Sequence, residues 1–360
     1  MKKSAKTHRL STMAELTNAG LVSRADAPKL DCVAARYAIA VTPHMTQLID
    51  PDNPDDPVAR QFIPTTAELD HGPEEVADPI GDNRHSPVKG IVHRYQDRVL
   101  LKVISVCPVY CRFCFRREMV GPGSDGGKGL LKGAALNAAL DYIAIDRGIR
   151  EVIVTGGDPF MLSQRRIGDL TKRLSAFDHI RIIRWHSRVP IVDPARITPA
   201  LVRALKPRAA TTNVAVKVAV HVNHPRELAQ AARSAIGLLV DNGIHLLSQS
   251  VLLKGINDNV ETLAALFRKL VALRIQPYYL HHGDLAPGTA QFRTTLDEGQ
   301  ALMAALRRRL PDRDLPRYVL DIPGGYGKVP VGPEHMERES DQTWRVTDRA
   351  GRVHRYPPRL

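Results

Sequence analysis

Residues 99–117 read VLLKVISVCPVYCRFCFRR. The first seven, VLLKVIS, form an apolar run interrupted by one lysine, which suits a buried strand delivering the chain into a loop that opens at Pro108. Three cysteines follow, Cys107, Cys111 and Cys114, at spacings of four and three. Thiolates so placed can converge on one small inorganic centre. A structural zinc would need a fourth ligand, typically from a second C-x2-C pair or paired histidines, and neither is evident. A [4Fe–4S] cluster held by three cysteines keeps one iron free of the protein, where a small molecule can coordinate. The remaining cysteine, Cys32, lies far away, so the chain is no disulfide scaffold.

Outward from this stretch, short β-branched runs alternate with amphipathic ones. Strands are expected at 99–105, 151–155, 180–184, 214–221, 244–250 and 276–281, with a final one ahead of Asp321. Helices are expected at about 131–144, 163–176, 198–206, 225–242, 258–273 and 295–309. The helix at 258–273 sets Leu263, Leu266, Phe267 and Leu270 on one face, and Asp258 or Asn259 can cap it. This alternation predicts an α/β fold with a parallel sheet curved into a full or partial barrel, whose ligands gather at the carboxyl ends of the strands. Three segments are expected: an N-terminal helical and loop extension (1–98), the barrel (99–322) and a C-terminal extension (323–360). The first is rich in proline and acid (IDPDNPDDPVARQFIP, 49–64) and reads as a lid or an oligomer contact.

The polar motifs fall just after strands. In TGGDP (155–159), Gly156 and Gly157 let backbone approach a ligand, and Asp158 can receive an ammonium or cap a turn. His221, Asn223 and His224 in HVNHP, and Gln249 in LSQSVLLKGIND, can bond a nucleoside or satisfy their own loops. PGGYGK (323–328) is a glycine-rich loop ending in Lys328, which can pair with a phosphate, form an imine or face solvent. It is not a P-loop, because Val329 follows where Ser or Thr should stand. Arg94 and Arg98 in VHRYQDRVL can clamp a phosphate. Asp284 in HHGDLAPG and Asp321 in VLDIPGG suit a cationic substrate end, or cap turns.

Composition narrows the class. In 360 residues, Lys and Arg outnumber Asp and Glu by 51 to 38, a net charge of +13, with 43% apolar residues. The excess suits anionic ligands, an acidic partner or plain solubility, and without an aromatic-studded basic stripe or zinc finger a solvated basic surface is expected in place of a nucleic-acid site. No run approaches about 18 apolar residues, and the start MKKSAKTHRL lacks a leader pattern, so a cytoplasmic protein without a membrane span is expected.

Together, CPVYCRFCFRR and TGGDP resemble the radical S-adenosylmethionine superfamily. The wider set, from TPHMTQLIDPDNPDDP through VHRYQDRVLL, HVNHP, QSVLLKGIND, QPYYL and DLAPGTAQFRT to DIPGGYGKVPV, resembles the lysine 2,3-aminomutase family over about residues 40–335. The resemblance implies a partial (β/α)6 barrel with a [4Fe–4S] cluster on Cys107, Cys111 and Cys114, its open iron chelated by S-adenosylmethionine. Gly156, Gly157 and Asp158 would fix the methionine amine, and Ser187, Arg188, His221 and Gln249 lie at motifs that contact the same cofactor. It further implies pyridoxal 5′-phosphate bound as an imine by Lys328, with Arg94 and Arg98 on its phosphate. Arg116 would pair with the substrate carboxylate, and Asp284 and Asp321 with the lysine ε-ammonium. The implied reaction interconverts L-lysine and β-lysine through a 5′-deoxyadenosyl radical, fed by an external electron donor such as flavodoxin or ferredoxin, in a homo-oligomer.

The chain departs from the family pattern at Phe113, where histidine is common, and at His281, where an aromatic hydroxyl is usual. Better-known members carry later cysteines for zinc; none follows Cys114, so no zinc is expected. Two other readings share these features. One is a related aminomutase making β-lysine for elongation factor P modification, an acidic partner. The other is an iron–sulfur protein that binds RNA without radical chemistry, with salt-sensitive binding.

Overall fold

In a computed structural model, residues 8–121, 129–207, 213–331, 336–340, 343–347 and 353–356 are described. Nine strands form one sheet whose spatial order follows the chain: β1 (Ile91–Tyr95), β2 (Arg98–Ile104), β3 (Glu151–Gly156), β4 (Ile182–Ser187), β5 (Ala215–His221), β6 (His245–Val251), β7 (Ile275–His281), β8 (Arg317–Ile322) and β9 (Gly327–Pro330). Strands β2 to β8 run parallel, whereas β1 and β9 pair antiparallel at the two edges. The sheet curves into a nearly closed barrel. Its two edges meet through the backbone N–H of Lys328, which donates to the Tyr95 hydroxyl at 2.8 Å. Each parallel step is bridged by a helix: Gly133–Ile145, Gln164–Ser175, Pro199–Leu205, Gln230–Asp241, Val260–Ala272 and Leu296–Arg307. These are the six helices expected from the periodicity. The sheet also draws β1 from the segment read as the N-terminal extension and β9 from the segment read as the C-terminal one.

Local chemistry sets these elements. Asn259 caps Val260–Ala272, its Oδ1 accepting from Thr262 N at 2.9 Å, and the helix buries Leu263, Leu266, Phe267 and Leu270. Thr295 and Glu298 form a reciprocal capping box on Leu296–Arg307. Along the strands, alternate residues divide between two faces. Val152, Val154, Ile183, Trp185, Val218 and Val220 are buried outward against the helices. Their neighbours Ile153, Thr155, Arg184, His186, Ala219 and His221 line the interior. Burial of each large outward side chain contributes about 1.5–3 kcal/mol, while the inward set is left for chemistry.

The N-terminal extension does not stand off as a separate lid. Its short helices Met13–Asn18, Ala27–Arg36, Pro43–Leu48 and Ala59–Phe62 send Leu16, Val33, Met45 and Phe62 into the same core as the barrel. At the other end, β10 (Met336–Ser340), β11 (Thr343–Thr347) and β12 (Val353–Tyr356) form a small antiparallel sheet. The tail WRVTDRAGRVHRYP (344–357) has a hairpin-like pattern, and within it β11 and β12 pair antiparallel; residues 348–352 between them lie outside the described residues. No helix among the described residues is long and apolar enough to cross a membrane.

Candidate active site

The barrel interior holds a cavity of about 470 Å³ that runs from Arg98 and Arg317, at the starts of β2 and β8, to the carboxyl ends of the strands, and every residue that the family resemblance assigned to the site lines it. Cys107, Cys111 and Cys114 share that wall with Gly156, Gly157, Asp158, Ser187, Arg188, His221 and Gln249. Arg94, Arg98, Arg116, Asp284, Asp321 and Lys328 line it as well.

The cysteine loop is shaped by partners the local sequence does not announce. Glu68, fully buried in the extension, takes the Arg112 guanidinium at 2.9 Å (Nε to Oε1) and also pairs with Arg117. Arg116 donates Nε and Nη2 to Asp82 at 3.2 and 2.9 Å. The arginines beside the cysteines are therefore anchors that tie the loop to residues 66–82. Phe113, where the family often has histidine, packs edge-on against His221 and Phe292, with ring centroids 5.7 and 6.1 Å away. Burial pushes the Cys107 thiol well above its ordinary range and Cys114 up to about 11. A cationic centre such as an iron–sulfur cluster would offset both the burial and the mutual repulsion of neighbouring thiolates.

The end of β3 abuts the lead-in to that loop. Gly156 has φ +118, and a Cβ there would overlap the carbonyl oxygen of Ile104; at Gly157 it would lie 2.6 Å from Val106 O. The glycine pair thus serves close backbone packing as well as any ligand. Asp158 turns its carboxylate inward, where it accepts from Ser187 Oγ (2.8 Å), Phe160 N (3.0 Å), Arg188 N (2.7 Å) and Val189 N (3.1 Å). Its side chain organises the ends of β3 and β4. Arg188 is buried, and its Nη1 donates to Cys111 Sγ at 2.7 Å. Of the HVNHP residues, His224 caps its turn by accepting from Arg226 N, and Asn223 accepts from Val251 N at 2.9 Å. Both serve the loops. His221 bonds Asn223 Oδ1 at 3.2 Å, and burial together with Arg188 holds its pKa well below the ordinary histidine range, so it is neutral.

Lys328 sits on β9 directly across from Asp321 on β8, and its ammonium pairs with that carboxylate. The glycines before it are clamped by the extension: Arg84 donates to Gly324 O, His85 Nε2 lies 2.8 Å from Gly325 O, and a Cβ on Gly81 would fall 2.6 Å from Gly325 N. Lys328 and His281 hold the Asp321 carboxyl far below the usual carboxylate range against its burial. Asp284 goes the other way, pushed up to about 7 by burial and by the Asp321 charge. Arg94 is held by Ile80 O and Asp82, yet its buried Nε has no partner among the described residues. An unsatisfied guanidinium N–H on this wall fits an anion such as a phosphate. Arg98 lies 3.9 Å over the Tyr95 ring and pairs with Asp97. Strand alternation could have revealed His186 and Tyr279, which also face the cavity. Gln61 and Asp82 carry no local signal, and the capping boxes of Glu68 with Thr65 and of Glu227 with His224 announce only a turn.

Comparison with known proteins agrees with this geometry. Residues 101–267 match the Radical SAM superfamily. The chain is 39% identical over 302 residues to L-lysine 2,3-aminomutase of Clostridium subterminale, covering 84% of this chain and 70% of that one. The chain belongs to the lysine 2,3-aminomutase family. A putative L-lysine 2,3-aminomutase of Aquifex aeolicus is 37% identical over 86% of this chain and 81% of its own. A glutamate 2,3-aminomutase of Clostridioides difficile is 32% identical over 84% and 70%. Membership makes the protein a radical S-adenosylmethionine aminomutase, an isomerase with a [4Fe–4S] cluster and S-adenosylmethionine. The RNA-binding alternative without radical chemistry loses its support. Both lysine and glutamate occur as substrates among these relatives, so the choice rests on the site.

Proposed function

We propose that this aminomutase interconverts L-lysine and β-lysine, with pyridoxal phosphate carried on Lys328. The observation that supports this reading is the carboxylate pair, Asp284 and Asp321, on the same cavity wall as Lys328. The two are close enough for the charge of one to raise the pKa of the other. Such a pair attracts a cationic side-chain end and repels the carboxylate of glutamate.

When bound, the cluster with S-adenosylmethionine supplies a hydrogen-abstracting radical, and pyridoxal phosphate supplies an electron sink for the migrating nitrogen. The protein's own part is orientation. Arg116, braced by Asp82, offers its guanidinium to the substrate carboxylate, while Asp284 and Asp321 take the ε-ammonium. Two anchors of opposite charge fix the direction in which lysine lies, which brings carbons 2 and 3 to the reacting centre. Arg94 and Arg98 hold the phosphate. Phe113 and Phe292, buried side by side, keep water from the radical. An external flavodoxin- or ferredoxin-type donor delivers the electron.

The test is anaerobic reconstitution with iron and sulfide, then incubation with lysine, pyridoxal phosphate, S-adenosylmethionine and a reductant. β-Lysine is the expected product, with no isomer formed from glutamate. Deoxyadenosine release without any lysine isomer, or turnover of glutamate instead, overturns the substrate assignment. Lys328→Ala should abolish the pyridoxal absorbance with the cluster retained, and Cys111→Ala should do the reverse.

A further inference from the structure

We infer that Arg188 and Glu227 set the reduction potential of the cluster, through a hydrogen bond from Arg188 to the Cys111 sulfur. This inference rests on the cluster that family membership brings and not on lysine or pyridoxal phosphate.

Arg188 leaves the end of β4 with its backbone N–H bonded to Asp158, and its guanidinium runs between the rings of Phe62 (4.8 Å) and Phe113 (5.5 Å). There Nη1 donates to Cys111 Sγ at 2.7 Å, while Nη2 donates to Gln61 Oε1 at 2.5 Å and Glu227 Oε2 at 2.8 Å. Glu227 has no exposed surface, and its other oxygen accepts from Asn223 N, His224 N and Gln61 Nε2 at 3.0, 2.8 and 3.1 Å. The side chain of Asn223 completes the net by donating to Gln61 Oε1 at 3.0 Å. An arginine tied at so many points cannot swing away to follow a ligand, so it presents a fixed charge to one cluster sulfur.

Reduction adds an electron that spreads onto the sulfurs. A donor and a positive charge at Cys111 stabilise the reduced form and raise the potential. The Glu227 carboxylate, in the same dry pocket, acts with the opposite sign. Removing each member should therefore move the potential in opposite directions, whereas residues that only hold the loop together would give no such pattern.

The measurement is a potentiometric titration of the reconstituted full-length protein, followed by the cluster's paramagnetic resonance signal with no S-adenosylmethionine, pyridoxal phosphate or lysine added. Iron and sulfide contents serve as the control. Arg188→Lys should shift the midpoint to more negative potential and Arg188→Met further in that direction. Glu227→Gln should shift it to more positive potential. Should Arg188→Met fail to retain iron, Arg188→Lys and Glu227→Gln decide. Unchanged midpoints in those two, shifts of the same sign, or loss of iron from both overturn the inference and leave these residues a purely structural part.

Discussion

At the scale of single residues, Asp284 makes the most exposed wager. Its pKa, near 3.8 in an unfolded chain, is pushed up to about 7 in the folded protein. Folding therefore takes up a proton between those values, and the native state loses stability as pH rises through that window. In the protein without ligands, Asp284→Asn should raise the melting temperature above pH 7, and the advantage should vanish towards pH 4. Thermal scans across pH check this, and a pH-independent difference would contradict it. The same shift governs substrate binding under the proposed function. A lysine ammonium needs an ionised partner, so below pH 7 binding must expel the Asp284 proton. The KM for lysine should then rise by about tenfold per unit as pH falls below 7, while kcat changes less. A flat KM over pH 5–7 would remove Asp284 from the ammonium site.

At the scale of elements, the cysteine loop owes its shape to two supports. One is the backbone seam with β3. Gly156→Ala places a methyl against Ile104 O at φ +118, which costs on the order of 1–3 kcal/mol in backbone strain alone. The loop should yield before the sheet does, so the variant should bind substoichiometric iron after reconstitution while retaining its far-ultraviolet dichroism. The other support is Glu68, which holds Arg112 and Arg117. Glu68→Ala strands the buried Arg112 and should cost about 3–5 kcal/mol in urea unfolding. Loss well under 1 kcal/mol would mean that water enters to replace the carboxylate. Of these two supports, the sequence displayed only the first. GGD after an apolar strand is a local signal, because the constraint lies within a few residues. The Glu68–Arg112 pair joins residues 44 apart and leaves no periodic trace.

Across the whole molecule, the parallel barrel was legible because strands buried on both sides read as short runs of Val, Ile and Leu, with amphipathic stretches at helical spacing between them. All six crossover helices can be found that way. The edges could not. β1 and β9 are short and polar, and their role depends on meeting each other around the barrel, which no local pattern encodes. The Arg188 net is hidden for the same reason, since Gln61 lies 127 residues from its partner. Under the proposed function, the meeting of the two edges makes the fold responsive to pyridoxal phosphate. Among the described residues, the edges of the sheet are joined by the hydrogen bond from Lys328 N to the Tyr95 hydroxyl and by the clamp of residues 79–85 on Gly324 and Gly325. Arg94 and Arg98 lie on one side of this seam and Lys328 on the other, so a pyridoxal phosphate held by these residues would lock it. Adding the cofactor should slow amide hydrogen exchange at 91–98 and 320–330 far more than in the strands β4 to β6, and raise the melting temperature by linkage. Tyr95→Phe should weaken the seam by about 1 kcal/mol and speed exchange at the same two segments before the cofactor is added. Protection spread evenly over the barrel, or confined to the cysteine loop, would place the cofactor elsewhere and with it the role given to Lys328.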